Sequence, residues 1–168
     1  MDREELQAVQ APLKERYRSE PDAARVTLKA DATLGAEEVS CSVSTGRALV
    51  EAGLHPATGG TGMLACSGDM LLEALAACAG VTLRAVATAL GFDVRGSVHV
   101  EGDLDFRGTL GIAKDEGVPV GFTAIRVRFD LDHELDPEQL ATLLRLTERY
   151  CVVQQTLVGG VPVEMQFV

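Results

Sequence analysis

The sequence has no run of lysine and arginine anywhere in its 168 residues. Its 15 basic residues are outnumbered by 25 acidic ones, and the formal net charge is −10. Phosphate recognition needs clustered cationic side chains, so no nucleic-acid partner is expected. The same balance disfavours docking on an anionic membrane surface. The first twenty residues are charged throughout and contain no apolar stretch of the signal-peptide kind, which points to a cytoplasmic protein. The four cysteines, Cys41, Cys66, Cys78 and Cys151, form no CxxC pair and have no metal-finger spacing. In a reducing compartment that leaves inert buried thiols or a redox pair. The three histidines, His55, His99 and His133, show no ligand spacing, so no metal site is expected. The glycine-rich GGTG at 59–62 lacks the lysine and the preceding strand that a phosphate-cradling loop requires. No repeat and no linker divides the chain, whose length suits a single domain over 1–168 with a core of its own.

What the sequence does contain is a long, apolar, alanine-rich stretch from Ser67 to Gly91. Met70, Leu71, Leu75, Ala79, Leu83, Val86 and Leu90 recur at helical spacing, and Asp69, Glu73 and Arg84 are few and scattered. A helix apolar around most of its circumference belongs inside a domain. Ser67 is the expected N-cap and Gly91 the expected residue after the C-terminus. Seven alanines in this stretch let other backbone approach closely, and Cys78 sits in its middle.

Around this helix the remaining pattern is that of an α+β domain. Residues 3–18 read as an amphipathic helix interrupted by Pro12, an N-terminal helical extension within 1–20. Arg25–Leu34 and Val39–Thr45 alternate as strands about a turn at 35–38 and predict a hairpin. Residues 53–68 form a glycine-rich connection, with HPATGG at 55–60 a candidate pocket rim. After Gly91 comes an alternating run at 93–100, then a loop or loose hairpin at 108–121. The clearest strand follows, with Ile125, Val127, Phe129 and Leu131 facing one way and Arg126, Arg128 and Asp130 the other. A second helix is announced by Asp136 as N-cap, Pro137 at the first helical position and Gln139 at the third, with Leu140, Leu143, Leu144 and Thr147 as its stripe. CVVQQTL predicts a further turn or two of helix before Gly159-Gly160, and VPVEMQFV a final alternating strand.

Cys78 lies inside the first strong helix and Cys151 at the end of the second. Taken singly, either one reads as a small buried apolar filler. Together, LLEALAACAGVTLRAVATALG and the later LTERYCVVQQTLVGGVPVEMQFV resemble the OsmC/Ohr family, the osmotically inducible protein C and organic hydroperoxide resistance proteins. Ala76-Ala77-Cys78 and Cys151 match the family's two cysteine elements. The resemblance covers about residues 25–168. It implies antiparallel sheets packed around two long helices in an intertwined homodimer, with pockets at the subunit interface and no metal or organic cofactor. It also implies a thiol peroxidase. Cys78 would attack the O–O bond of an organic hydroperoxide, Cys151 would resolve the sulfenic acid as a disulfide, and an external dithiol would reduce it.

Two departures qualify what the resemblance implies. Peroxidatic members place an arginine in the N-terminal hairpin and a glutamate near the start of the central helix. Here the hairpin turn DATLGAEE has no arginine, Arg25 and Arg47 fall elsewhere, and Gly68 occupies the glutamate position. At roughly 100° per residue, Asp69 lies about half a circle from Cys78 and Glu73 about 140° away. Leu71, Ala74, Leu75, Thr82 and Ala85 share the Cys78 face instead, a mostly apolar surround that is expected to raise a thiol's pKa. Val152 also stands where members often have a proline, a change expected to touch only the helix start. The rival expectation is a non-catalytic protein on the same scaffold, binding a small apolar ligand between the two subunits. Cys66, on the loop entering the central helix, reads as a bystander or a competing resolving thiol, and Cys41 as core.

Overall fold

A computed structural model describes residues 2–5, 7, 8, 10, 11, 19, 31–34, 40–44, 49–111, 115 and 117–167. Residues 3–5, 7, 8, 10 and 11 are helical, as the pattern predicts. The remainder of that expected helix, the first half of the expected strand at 25–34 and both Arg25 and Arg47 lie outside the described residues.

The element order is β1 (Asp31–Leu34), β2 (Ser40–Ser44), β3 (Leu49–Gly53), a 3-10 turn (Pro56–Thr58), α1 (Ser67–Leu90), β4 (Val94–Asp103), α2 (Phe106–Thr109), β5 (Ala124–His133), α3 (Pro137–Tyr150) and α4 (Val152–Gly159). It is the α+β class that the sequence predicts. The backbone divides into two compact units, one of residues 1–20, 74–99 and 127–168, the other of residues 21–73 and 100–126.

In the second of these units β1 and β2 form the expected antiparallel hairpin, with Leu34 opposite Cys41. β3 extends it antiparallel to β2, with Cys41 opposite Ala52. β3 was not anticipated, because LVEAG is short and ends in glycine. Its outer edge is covered locally: Gly53 N–H donates to the Ala65 carbonyl and Ala65 N–H to the Glu51 carbonyl, at 2.9 and 3.0 Å. The single helical turn α2 leads into the expected loop at 108–121 and is capped by the Asp105 carboxylate accepting from Arg107 N–H.

The first unit holds the helical core. α1 starts at Ser67, with the Cys66 carbonyl accepting from Met70 N–H, so the cap falls one residue before the serine that the sequence suggests. It ends as expected. Gly91 takes φ 76°, its N–H donates to the Thr88 carbonyl, and Phe92 N–H donates to the Ala87 carbonyl. This pairing satisfies carbonyls that the helix end would otherwise leave open. Leu75, Ala79, Leu83 and Ala87 form the buried stripe, one residue per turn. Leu83, Ala87, Val94 and Leu143 make the core cluster, flanked by Val86, Phe92, Phe129, Leu131 and Leu135. The opposite side of α1 is open in the single chain, with Val81 71% exposed, which departs from the helix buried all round that its composition predicts. α1 is long and apolar enough to cross a bilayer, but its buried stripe packs as the core of a folded unit. α3 carries the predicted capping box: Gln139 N–H donates to the Asp136 carboxylate, and the Gln139 side chain accepts from Asp136 N–H.

One prediction is corrected. VPVEMQFV is not a strand here: residues 161–167 are irregular, and Val163, Met165 and Phe167 stand 78%, 95% and 107% exposed. A strand is defined by the edge it pairs with, and this segment has none within the described residues.

β4 and β5 form a two-stranded sheet. Where they meet in the first unit, Gly96 sits at φ 139°, and a Cβ there would fall 2.0 Å from the Asp130 carbonyl oxygen. Gly96→Ala should therefore combine backbone strain with a clash against a backbone atom that cannot yield. We expect a loss of about 1–3 kcal/mol, read from urea denaturation, whereas Gly117→Ala, strained but sterically open, should cost less.

Candidate active site

The site is built where α3 hands over to α4. Cys151 is the C-cap of one helix and the N-cap of the next, with extended backbone at φ −72° and ψ 104°. That single extended residue turns the chain, so the N-terminus of α4 points its unpaired amides back at α1. Leu143 and Thr147, both 1% exposed, anchor α3 to the core one and two turns before this point. Cys151 is fully buried, and Cys78 on α1 is half-buried.

The two cysteines that the sequence singles out lie close enough for the ionisation of each thiol to depend on the other. Four neutral groups favour the ionised form of Cys78, namely the N–H of Val153, the Cys151 thiol, the Thr82 hydroxyl and the N–H of Val152. Burial opposes ionisation of Cys78, but these four together outweigh it, and its pKa falls below the ordinary 9.0. Cys151 moves the other way. Burial pushes it up most; the Gln154 amide opposes this, the neighbouring Cys78 adds to the rise, and the Val153 amide lowers it a little. The arrangement holds one acidic, accessible sulfur beside one protonated, buried thiol.

This overturns the expectation that an apolar surround raises the Cys78 pKa. The sequence counts helix-face neighbours correctly, and Thr82 is among them. The largest lowering contribution is the backbone amide of Val153, which no side-chain pattern displays, followed by the Cys151 thiol and the Thr82 hydroxyl.

Cys66 does not join this pair. It lies twelve positions before Cys78 at the mouth of the same helix, about 18 Å by helical rise, far beyond the Cα separation a disulfide tolerates. Instead it lines a separate cavity of about 370 Å³ with His55, Asp69, Asp103, Phe106 and Phe122. His55 stacks on Phe106 with ring centroids 4.7 Å apart, which bears out the pocket rim expected at 55–60. Asp103 accepts from both terminal nitrogens of Arg126, and this pairing holds its carboxyl below the usual range.

The histidines serve local geometry. His55 and His133 each accept a backbone N–H two residues on, and His99 shares a hydrogen bond of 2.9 Å with Ser97. Among the described residues, no group of three or more His, Cys, Asp or Glu side chains converges as a metal site would require.

Comparison with known proteins agrees with this architecture. The family model of the OsmC-like proteins matches residues 60–166, and the chain belongs to that family. No curated protein matches it in sequence. Among solved structures it is similar to an OsmC-like protein from Mycoplasma pneumoniae, at 18% identity and a TM-score of 0.66, covering 80% of this chain and 89% of that one. It is also similar to an organic hydroperoxide resistance protein from Elizabethkingia anophelis, at 17% identity and 0.57, covering 82% and 91%. A Legionella pneumophila organic hydroperoxide resistance protein, OsmC, gives 18% and 0.55, covering 82% and 93%. At these identities the likeness is one of fold.

The lowered Cys78 pKa has a consequence for stability. The folded chain holds this proton less tightly than the unfolded chain, whose thiol titrates near 9.0. Stability therefore rises with pH from the folded midpoint up to about 9, and falls again as pH drops through that midpoint. Cys151, raised, acts oppositely and only above that window. Urea denaturation at stepped pH should show the rise in the parent protein and a flatter profile in Cys78→Ser.

Proposed function

We propose that the protein is a thiol-dependent peroxidase that reduces organic hydroperoxides. The observation that carries this reading is the asymmetric pair: a half-buried Cys78 with a lowered pKa, electrostatically linked to a buried Cys151 with a raised one. In the first step the Cys78 thiolate attacks the terminal peroxide oxygen. The O–O bond breaks, the alkoxide takes a proton and leaves as the alcohol, and Cys78 becomes a sulfenic acid. In the second, the sulfur of Cys151 attacks that sulfenic sulfur, a disulfide forms and the hydroxyl leaves as water. An external dithiol then reduces the disulfide and is itself oxidised. The mutual influence of the two thiols supports Cys151 in the resolving role, since the sulfenic acid needs a partner at hand before over-oxidation. The apolar residues that share the Cys78 face of α1, Leu71, Ala74, Leu75 and Ala85, favour organic hydroperoxides over hydrogen peroxide.

One equivalent of cumene hydroperoxide should consume two thiols within seconds and yield a Cys78–Cys151 disulfide on peptide mapping. Cys78→Ser should abolish the reaction, and Cys151→Ser should stop after one turnover with Cys78 oxidised to sulfenic or sulfinic acid. If all four thiols survive for minutes, the rival reading takes over, a non-catalytic protein binding a small apolar ligand.

The same proposal includes the homodimer. The exposed alternation of Val161, Val163, Met165 and Phe167 and the open side of α1 at Val81 are apolar surface that a second copy would cover. An apolar cleft of about 460 Å³ lined by Leu83, Phe129, Leu131, Leu140 and Leu144 supports the same reading. Sedimentation should give twice the 17.8 kDa chain mass, and Val163→Asp with Met165→Asp should shift the protein to monomer.

A further inference from the structure

We infer that the cavity at the start of α1, between His55, Asp69 and Phe122, is a binding site for a small organic cation, an ammonium group carried on an aromatic or branched apolar body. Neither Cys78 nor Cys151 lines it, so its occupant is independent of the peroxidase reading.

The walls are aromatic. His55 and Phe106 stack with ring planes 16° and centroids 4.7 Å apart, and Phe122 is the third ring on the cavity. The His55 ring is fixed by its own turn. Its Nδ1 accepts from Ala57 N–H at 3.1 Å, and an imidazole accepting there is neutral, with its proton on Nε2. Phe122 is placed by a glycine. A Cβ at Gly102 would fall 2.5 Å from the Phe122 ring and 3.1 Å from Leu72, so only bare backbone lets that ring lie against β4. The chain has five phenylalanines and no tryptophan. Phe106 and Phe122 are spent on this cavity, and neither packs with the core cluster around Leu83 and Leu143. Aromatic walls around about 370 Å³ suit a small molecule, and ring faces attract a cation held over them.

Two carboxylates reach the cavity, and only one is paired. Asp103 accepts from both terminal nitrogens of Arg126, and Glu101 lies 3.6 Å from the same guanidinium. Asp69, in the first turn of α1, has no hydrogen bond or ion pair among the described residues. An anion would meet this carboxylate, and Met70 N–H is already taken by the Cys66 carbonyl at 3.0 Å. Gly68 keeps the space open. A Cβ there would sit 3.5 Å from the Phe122 ring and 3.6 Å from the Cys66 sulfur, so a methyl group fits and a larger side chain would enter the cavity.

The probe is phenethylammonium, with phenethyl alcohol and phenylpropionate as neutral and anionic counterparts, each titrated calorimetrically into the reduced full chain. Protection of Cys66 from iodoacetamide, read by peptide mapping, locates the site, with Cys78 in the same maps as the comparison. We expect the ammonium to bind roughly tenfold more tightly than the alcohol, the effect of one hydrogen bond to a charged group, and the propionate to bind least. The ammonium should slow alkylation of Cys66 and leave that of Cys78 unchanged. Asp69→Asn should bring the ammonium and the alcohol to equal affinity. Gly68→Leu should remove binding of both, and Gly68→Ala should keep it. If Gly68→Leu does not fold, the Asp69→Asn comparison decides alone. Equal affinity of ammonium and alcohol in the parent protein overturns the assignment, as does a preference for the propionate. Binding that protects Cys78 instead of Cys66, or no binding by any of the three, overturns it as well.

Discussion

The candidate site depends on the packing of α3 against α1. Leu143 is buried with Leu83 and Ala87, and from that anchor one and two further turns of α3 carry Thr147 and then Cys151 into the interior. Small residues on α1 permit it, since Ala79 and Ala87 leave room for backbone where leucine would hold the second helix away. A contact that looks purely structural therefore sets the position of both sulfurs. The chemistry lies at the end of this lever, where α3 stops and α4 starts.

Much of the scaffold was legible because it is written in local terms. The ends of α1 and α3 follow from Gly91, Asp136, Pro137 and Gln139, whose side chains or freedoms satisfy backbone groups a few residues away. The β1–β2 hairpin follows from alternation. What escaped prediction depends on partners. β3 exists because β2 presents an edge to LVEAG, and the last segment is no strand because no edge is offered to it in one chain. Alternation showed that 161–167 has an apolar side, and it could not say against what that side is laid.

The candidate site was legible by half. The pairing of Cys78 with Cys151 emerges from two helical contexts that resemble one family, and the ionisation of each thiol depends on the other. The electrostatics did not emerge. A helix-face projection places Leu75 and Ala85 near Cys78 and suggests an inert sulfur, but it omits amides some seventy residues downstream. Backbone donors are alike in every residue except proline, so a sequence displays them only through proline's absence.

The Val153 amide acts on both sulfurs, and in opposite circumstances. While Cys78 is a thiolate, its charge and its claim on the neighbouring proton keep Cys151 protonated. Once Cys78 carries a neutral sulfenic oxygen, that charge is gone, and the shared amide can turn to the second sulfur. Under the proposed cycle the pair then works as an interlock: the resolving thiol is kept inert until there is something to resolve. Such a device guards the second thiol from stray oxidants in the resting protein, and it needs nothing more than two thiols whose ionisation is linked.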